Sequence, residues 1–227
     1  MKEIRKFADT CNIVIFDFGG VIMDVDVNKT VKSFEELNID GLAYNDIIAE
    51  NGSFFRDLEL GLITHAEYID EFHLNFPASK NVSDEDIWKA WNNMLQPYNK
   101  ERIELIKTIR KRYTTCIFSN TNYPHRKTYK AMFREQFGYD FEDLFDKYFY
   151  SDELHLRKPD PKAYERSTKE LAIAPREILF IDDNQANIEQ AKANGWQAHL
   201  LKKGETIADI FYFDNQKETN EILNDLK

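Results

Sequence analysis

NIVIFDFGGV, residues 12–21, is the stretch whose reading decides the fold. Four apolar residues run into Asp17, and Gly19-Gly20 turn the chain immediately afterwards. A short continuous apolar run bounded by turn residues reads as a strand buried on both faces. Two later runs end in the same way: TTCIFSN at 114–120 closes on Ser119-Asn120, and EILFIDDN at 177–184 closes on Asp182-Asp183. QAHLL at 197–201 reads as a fourth strand. Helical patterns separate them, at 101–112, 161–172 and 186–195, the last stopping at Gly195. Strands alternating with helices predict an α/β fold with a Rossmann-like parallel sheet. In such a sheet ligands bind outside the carboxyl ends of the strands. Asp17, Ser119, Asn120, Asp182 and Asp183 are therefore expected to converge there.

Residues 27–98 break the alternation. Helical patterns recur at 29–37, 64–75 and 84–95, with no buried strand between them. Thr64 precedes one as an N-cap, and Ser83, with Asp86 three residues on, precedes another. The expected organisation is an α/β core of residues 1–26 and 99–227, with a helical cap of residues 27–98 inserted after the first strand. The polar residues 215–227 are expected to form a solvated surface helix.

At 227 residues the chain can bury one good core with a smaller insert. A net charge of −10 argues against nucleic acid, whose phosphate backbone calls for a basic face. The opening residues MKEIRKFADT lack the apolar stretch of a secretion signal, and no run reaches membrane-spanning length. Cys11 and Cys116 border or sit in apolar runs and read as reduced thiols. The expectation is a cytoplasmic protein, a monomer or weak homodimer, with no membrane or nucleic-acid partner.

Taken in order, D-F-G-G-V at 17–21, S-N at 119–120, K-P at 158–159 and D-D-N at 182–184 resemble the four motifs of the haloacid dehalogenase superfamily. The resemblance covers nearly the whole chain. SNTNYPH at 119–125 and LRKPDPKAY at 156–164 are similar to bacterial α-D-glucose-1-phosphate phosphatases and to the N-terminal phosphatase domain of soluble epoxide hydrolases. The resemblance implies a Mg²⁺-dependent phosphomonoester hydrolase that works through an aspartyl-phosphate. Its substrate would be a small phosphorylated metabolite, a sugar phosphate such as glucose 1-phosphate.

Roles follow residue by residue from that resemblance and from the residue types. Asp17 is the implied nucleophile. Asp17, the carbonyl of Gly19, Asp183 and Asp182 are the implied Mg²⁺ shell, with Asp182 in direct contact or one step removed, because Mg²⁺ takes hard oxygen ligands. Lys158 would neutralise Asp17 and the phosphoryl oxygens. Ser119 and the backbone N–H of Asn120 would donate to those oxygens, and the Gly19-Gly20 turn would let backbone N–H groups approach them. Arg56, beside the cap loop at 57–64, would grip the substrate. Structural alternatives stand beside these roles. Ser119 can cap a helix, Asp182-Asp183 can cap the helix that follows them, Lys158 can sit in a solvated loop, and Arg56 can be an exposed helix arginine.

One position departs from the family. Most of its phosphatases carry a second aspartate two residues after the nucleophile, as acid and base for the leaving group and the water. Here that residue is Gly19. His125, on the loop after the second motif, is the candidate for a borrowed proton donor. The alternative functions are a dehalogenase or a phosphomutase on the same scaffold, or a non-catalytic phosphate-binding relative.

Overall fold

The computed structural model describes residues 10–39, 41–42 and 53–211. The opening residues and the helix expected at 215–227 lie outside the described residues, apart from Thr10. Five strands form one all-parallel sheet: β1 (Ile13–Phe16), β2 (Thr114–Ser119), β3 (Lys147–Tyr150), β4 (Ile178–Asp182) and β5 (Gln197–Leu200). Their order is β3-β2-β1-β4-β5. β1 lies at the centre, with Ile13 in register with Thr114 on one side and Ile178 on the other.

The unbroken apolar run in β1 exists because both faces of the sheet are covered. Side chains alternate across a strand. Val14 and Phe16 therefore join the core beneath α5 (Lys100–Arg110) and α6 (Tyr123–Phe137). Beyond the short α7 (Ser151–Leu154), Ile13 and Ile15 join a second core beneath α8 (Pro161–Leu171) and α9 (Gln185–Ala193). Burying a side chain of this size contributes roughly 1.5–3 kcal/mol, and all four β1 residues are buried. Both cysteines are free and buried. Burial pushes their thiols up to about 11 for Cys11 and about 12 for Cys116, so neither is a nucleophile near neutrality.

Between β1 and β2 lie α1 (Val27–Glu36), α2 (Phe54–Glu59), α3 (His65–Asn75) and α4 (Asp84–Asn92), with a 3₁₀ turn at Pro77–Asn81. No strand is present here among the described residues. Thr64 caps α3 in a full capping box with Glu67, and Ser83 accepts from the Asp86 N–H at the start of α4. Such a cap is worth about 1 kcal/mol. Phe34, Phe55, Tyr68, Phe72 and Trp91 interlock as buried rings. Thr30 ties α1 to the end of α4, donating to the Trp91 carbonyl at 3.0 Å and accepting from the Met94 N–H at 3.1 Å. This apolar cluster is continuous with the one beneath the sheet, so the extra helices close over it as a cap. No helix among the described residues is long and apolar enough to cross a membrane.

Candidate active site

The carboxyl ends of β1, β2 and β4 open on a cavity of about 260 Å³. Asp17 follows β1 and is anchored by its own N–H, which donates to the Ile181 carbonyl at 2.8 Å. Asp182 ends β4 and Asp183 follows it. Oxygens of Asp17, Asp182 and Asp183 lie within 4.8 Å of one another. Convergence of these residues from distant parts of the sequence is the arrangement the strand endings predict.

Lys158 enters this cluster from the loop before α8 and is 2% exposed. Its Nζ donates to Asp17 Oδ1 at 2.7 Å and to Asp182 Oδ2 at 2.6 Å. The rings of Phe118 and Phe180 flank the ammonium at 5.4 and 5.2 Å. Burial pulls its pKa down, but Asp17 and Asp182 together outweigh burial and hold the amine charged. Asn120 fixes the lysine's backbone by a reciprocal pair: its Oδ1 accepts from the Lys158 N–H at 2.8 Å, and its Nδ2 donates to the Lys158 carbonyl at 2.9 Å. The Asn120 side chain is thus a positioning device for Lys158. Ser119 ends β2, is buried and lines the cavity. The following helix, α6, takes Asn122 as its cap, so Ser119 is not a helix cap.

Asp182 and Asp183 differ in their surroundings. Asp182 is fully buried and accepts from Lys158, from the Asn184 N–H at 2.7 Å and from Asn187 Nδ2 at 3.0–3.1 Å. Its Oδ2 is committed to Lys158 and Asn187, and its Oδ1 to the Asn184 N–H and Asn187. Asp183 is exposed and lines the cavity, so its carboxylate is free to face a ligand. Asn184, not either aspartate, caps α9.

Three carboxylates face one lysine, and this imbalance shows in Asp17. Burial pushes its carboxyl up to about 7, Lys158 pulls the other way, and Asp182 and Asp183 push further up. A second positive charge is needed to hold Asp17 ionised beside an anionic substrate. The oxygen-only donors suit a hard divalent cation of the Mg²⁺ type. Gly20 makes room for the Asp183 carboxylate. Its φ is +73°, and a Cβ there would lie 2.1 Å from Asp183 Oδ2. Gly20→Ala is therefore expected to displace Asp183 and weaken Mg²⁺ binding by roughly 10–100-fold. A Mg²⁺ titration of activity and direct calorimetry both read this, and unchanged metal affinity would contradict it. Gly19 also lines the cavity. A Cβ at Gly19 would meet Val25 Cγ2 at 3.4 Å, an ordinary contact, so sterics alone do not require glycine there.

The structure places His125 in this cavity, in surroundings that disfavour the role of proton donor. The ring is buried at the start of α6, stacked on Trp91 at 5.2 Å with planes 8° apart. Burial pushes its imidazole down to about 3. A ring that is neutral at physiological pH carries no acidic proton for a leaving group. Arg56 lies elsewhere. It lines a second cavity with Leu60, His155, Arg157 and Asp160, which meets the first at Lys158. The structure does not bring it into the cavity of the carboxylates. That second region is where the cap meets the core. Ser151 Oγ donates to the Glu59 carbonyl at 2.7 Å, and Glu59 pairs with Arg157 at 2.7 Å. Gly61 is pressed so closely on the Asp152 carbonyl that a Cβ would sit 2.2 Å from it.

Sequence reasoning missed Asn187 and Asn92. Asn187 lies three residues after the α9 cap, one helical turn in, which carries its side chain back to Asp182. That spacing is a signal the sequence did hold. Asn92 contacts His125 across the cap boundary, 33 residues away, and nothing local marks it.

A parallel sheet that presents carboxylates and a buried lysine at its carboxyl edge, under a helical cap, defines a hydrolase of anionic substrates. The profile of haloacid dehalogenase-like hydrolases matches residues 11–195, and the chain belongs to that family. A D-ribitol-5-phosphate phosphatase of Bacteroides thetaiotaomicron is 29% identical over 194 residues, spanning 84% of this chain and 92% of the relative. A phosphorylated carbohydrates phosphatase of Thermotoga maritima is 25% identical over 228 aligned positions, 94% of this chain and 97% of the relative. The crystal structure of a HAD family enzyme of Bacteroides thetaiotaomicron, in complex with magnesium and inorganic phosphate, superposes with a TM-score of 0.79. It is 28% identical and covers 89% of this chain and 100% of the other.

Proposed function

We propose that this protein is a Mg²⁺-dependent phosphatase of small phosphorylated carbohydrates, with Asp17 as the nucleophile and residues 27–98 as the cap. The observation that carries the reading is the Lys158 ammonium bonded to both Asp17 and Asp182 while Asp183 faces the same cavity. Lys158 places a fixed positive charge where the phosphoryl oxygens must sit, and its bond to Oδ1 leaves Asp17 Oδ2 for attack on phosphorus. The P–O bond to the alcohol breaks as the bond from Asp17 Oδ2 to phosphorus forms, the departing alkoxide takes a proton from water, and a second water cleaves the acyl phosphate to inorganic phosphate and the free Asp17 carboxylate. Asp17, Asp183 and the Gly19 carbonyl would hold the Mg²⁺, which when bound offsets repulsion between carboxylate and phosphate. Ser119 and the Asn120 N–H would donate to the transferring oxygens.

With Gly19 at the usual acid position and His125 neutral, neither supplies an acid for the leaving alcohol. General acid help is typically worth about 10²–10⁴-fold. Alcohols that leave more readily are favoured, and an anomeric hydroxyl is more acidic than a primary one. Sugar 1-phosphates should lead sugar 6-phosphates. The similarity of residues 119–125 and 156–164 to glucose-1-phosphate phosphatases supports that order. The two relatives, named for a polyol 5-phosphate and for phosphorylated carbohydrates, support the carbohydrate class and not the 1-phosphate preference. A cavity of about 260 Å³ suits a substrate of this size. Purified protein with Mg²⁺, assayed on sugar phosphates, polyol phosphates, nucleotides and phosphopeptides, tests the reading. Nucleotides or phosphopeptides in the lead would contradict it. Full activity in excess chelator would contradict the metal requirement and favour the dehalogenase reading.

A further inference from the structure

We propose that Nε2 of His125 is a hydrogen-bond acceptor for a hydroxyl of the leaving alcohol, and that it selects phosphomonoesters bearing such a hydroxyl. The inference rests on the phosphatase reading above and specifies the substrate's other end.

Trp88 fixes the orientation of the Asn92 amide. Its carbonyl accepts from Asn92 Nδ2 at 2.8 Å, which fixes which end of the Asn92 amide is which. Asn92 Oδ1 is then the atom 2.8 Å from His125 Nδ1. A carbonyl oxygen can only accept, so Nδ1 carries the ring's proton. The neutral ring has a single N–H, and Nε2 is therefore a bare lone pair. Nε2 has no hydrogen-bond partner among the described residues. The ring is held in place three ways: by Asn92, by its stack on Trp91, and by its backbone N–H, which donates to Asn122 Oδ1 at 3.0 Å. Charging it would place a cation in a buried apolar slot, and burial keeps it neutral instead.

His125 lines the cavity of the carboxylates. The other amide side chains there are engaged: Asn120 on the Lys158 backbone, Asn187 on Asp182, and Asn184 on the amide groups that open α9. Away from the charged corner, the wall holds Phe18, Val25, Met94 and Leu95, with the hydroxyls of Thr121 and Tyr129 as its other polar groups. A rigid acceptor in such a wall wants a donor, and a hydroxyl supplies one. A carboxylate or ether oxygen placed there would set lone pair against lone pair, and a methylene would leave the acceptor unpaired.

The test compares kcat/KM for a pentitol phosphate with that for propyl phosphate, at saturating Mg²⁺. Asparagine places its amide near the position of Nδ1 and has nothing at Nε2. Glutamine can place a carbonyl near Nε2. His125→Asn should lower the pentitol-to-propyl ratio by roughly 10–100-fold, whereas His125→Gln should retain most of it. An unchanged ratio in His125→Asn, or equal losses on both substrates in both variants, would overturn the proposal. If the wild type cleaves phosphomonoesters but prefers propyl phosphate, the carbohydrate reading falls and the proposal with it. A measurement on the intact protein stands apart from any effect of substitution on folding. The ¹⁵N resonances of His125 at neutral pH should show a protonated Nδ1 and an unprotonated Nε2. The opposite tautomer, or an imidazolium, would overturn the proposal.

Discussion

Asp17→Asn is expected to lower phosphatase turnover by about four orders of magnitude or more, the scale of loss when an enzyme's covalent nucleophile is removed. The amide is nearly isosteric with the carboxylate and can still accept from Lys158 at the 2.7 Å position now held by Oδ1. It lacks the charge and the free oxygen that attack phosphorus. The fold should survive, because Asp17 is a buried carboxylate whose ionisation the surroundings oppose. Thermal unfolding without metal should therefore occur at or above the wild-type temperature. Steady-state kinetics and a melting curve on the same preparation check both halves. Wild-type-like turnover would remove Asp17 from the chemistry, and an unfolded variant would show that the carboxylate is structural.

Lys158→Met should be damaging in two separable ways. The lysine is 2% exposed and answers two carboxylates, so an apolar replacement leaves Asp17 and Asp182 without their cation. Removing one partner of a buried ion pair costs roughly 3–5 kcal/mol. Losing a preorganised charge at the transferring group costs about 10²–10³-fold in kcat. Added Mg²⁺ should recover part of the stability and little of the rate, since a bound cation offsets the carboxylates but does not replace the ammonium's hydrogen bonds. Denaturant unfolding with and without Mg²⁺, beside kcat, separates the two. A stability loss unaffected by Mg²⁺ would argue against a metal at Asp17 and Asp183.

Much of the fold was legible because it rests on local patterns. The runs ending at Asp17 and Asp182 are buried on both faces and apolar up to their last residue, and the run ending at Asn120 has an apolar centre at 116–118. The helices of the cap begin at Thr64 and Ser83, whose side chains are in fact the caps. β3 was not read from the sequence, for a physical reason. It is an edge strand of four residues whose first, Lys147, is exposed, so it offers no apolar run. α6 went unread as well. It is rich in charge and aromatics, starts with Pro124 in its first turn, and carries a weak apolar periodicity.

The site divides along the same line. The residues that strand ends deliver, Asp17, Ser119, Asp182 and Asp183, could be placed by topology, because a parallel sheet aligns its carboxyl edges. Residues whose environment is set by packing could not. His125 has the chemistry of a proton donor in isolation, and its burial under Trp91 and beside Asn92, which opposes the charged ring, is not visible in the sequence. Arg56 is near the cap loop in sequence, yet its helix ends against Ser151 and Arg157 and points it to the neighbouring cavity. Asn120 was expected to act through its backbone, and its side chain proves to be what holds Lys158.

The central claim is that the phosphoryl group passes through Asp17. Acid quenching during turnover of a phosphomonoester with Mg²⁺, followed by peptide mapping, tests it directly. The account predicts one phosphoryl group on the peptide that carries Asp17, formed only with Mg²⁺ present and absent from Asp17→Asn. A phosphoryl group trapped on any other residue, or undiminished turnover by Asp17→Asn, would contradict it.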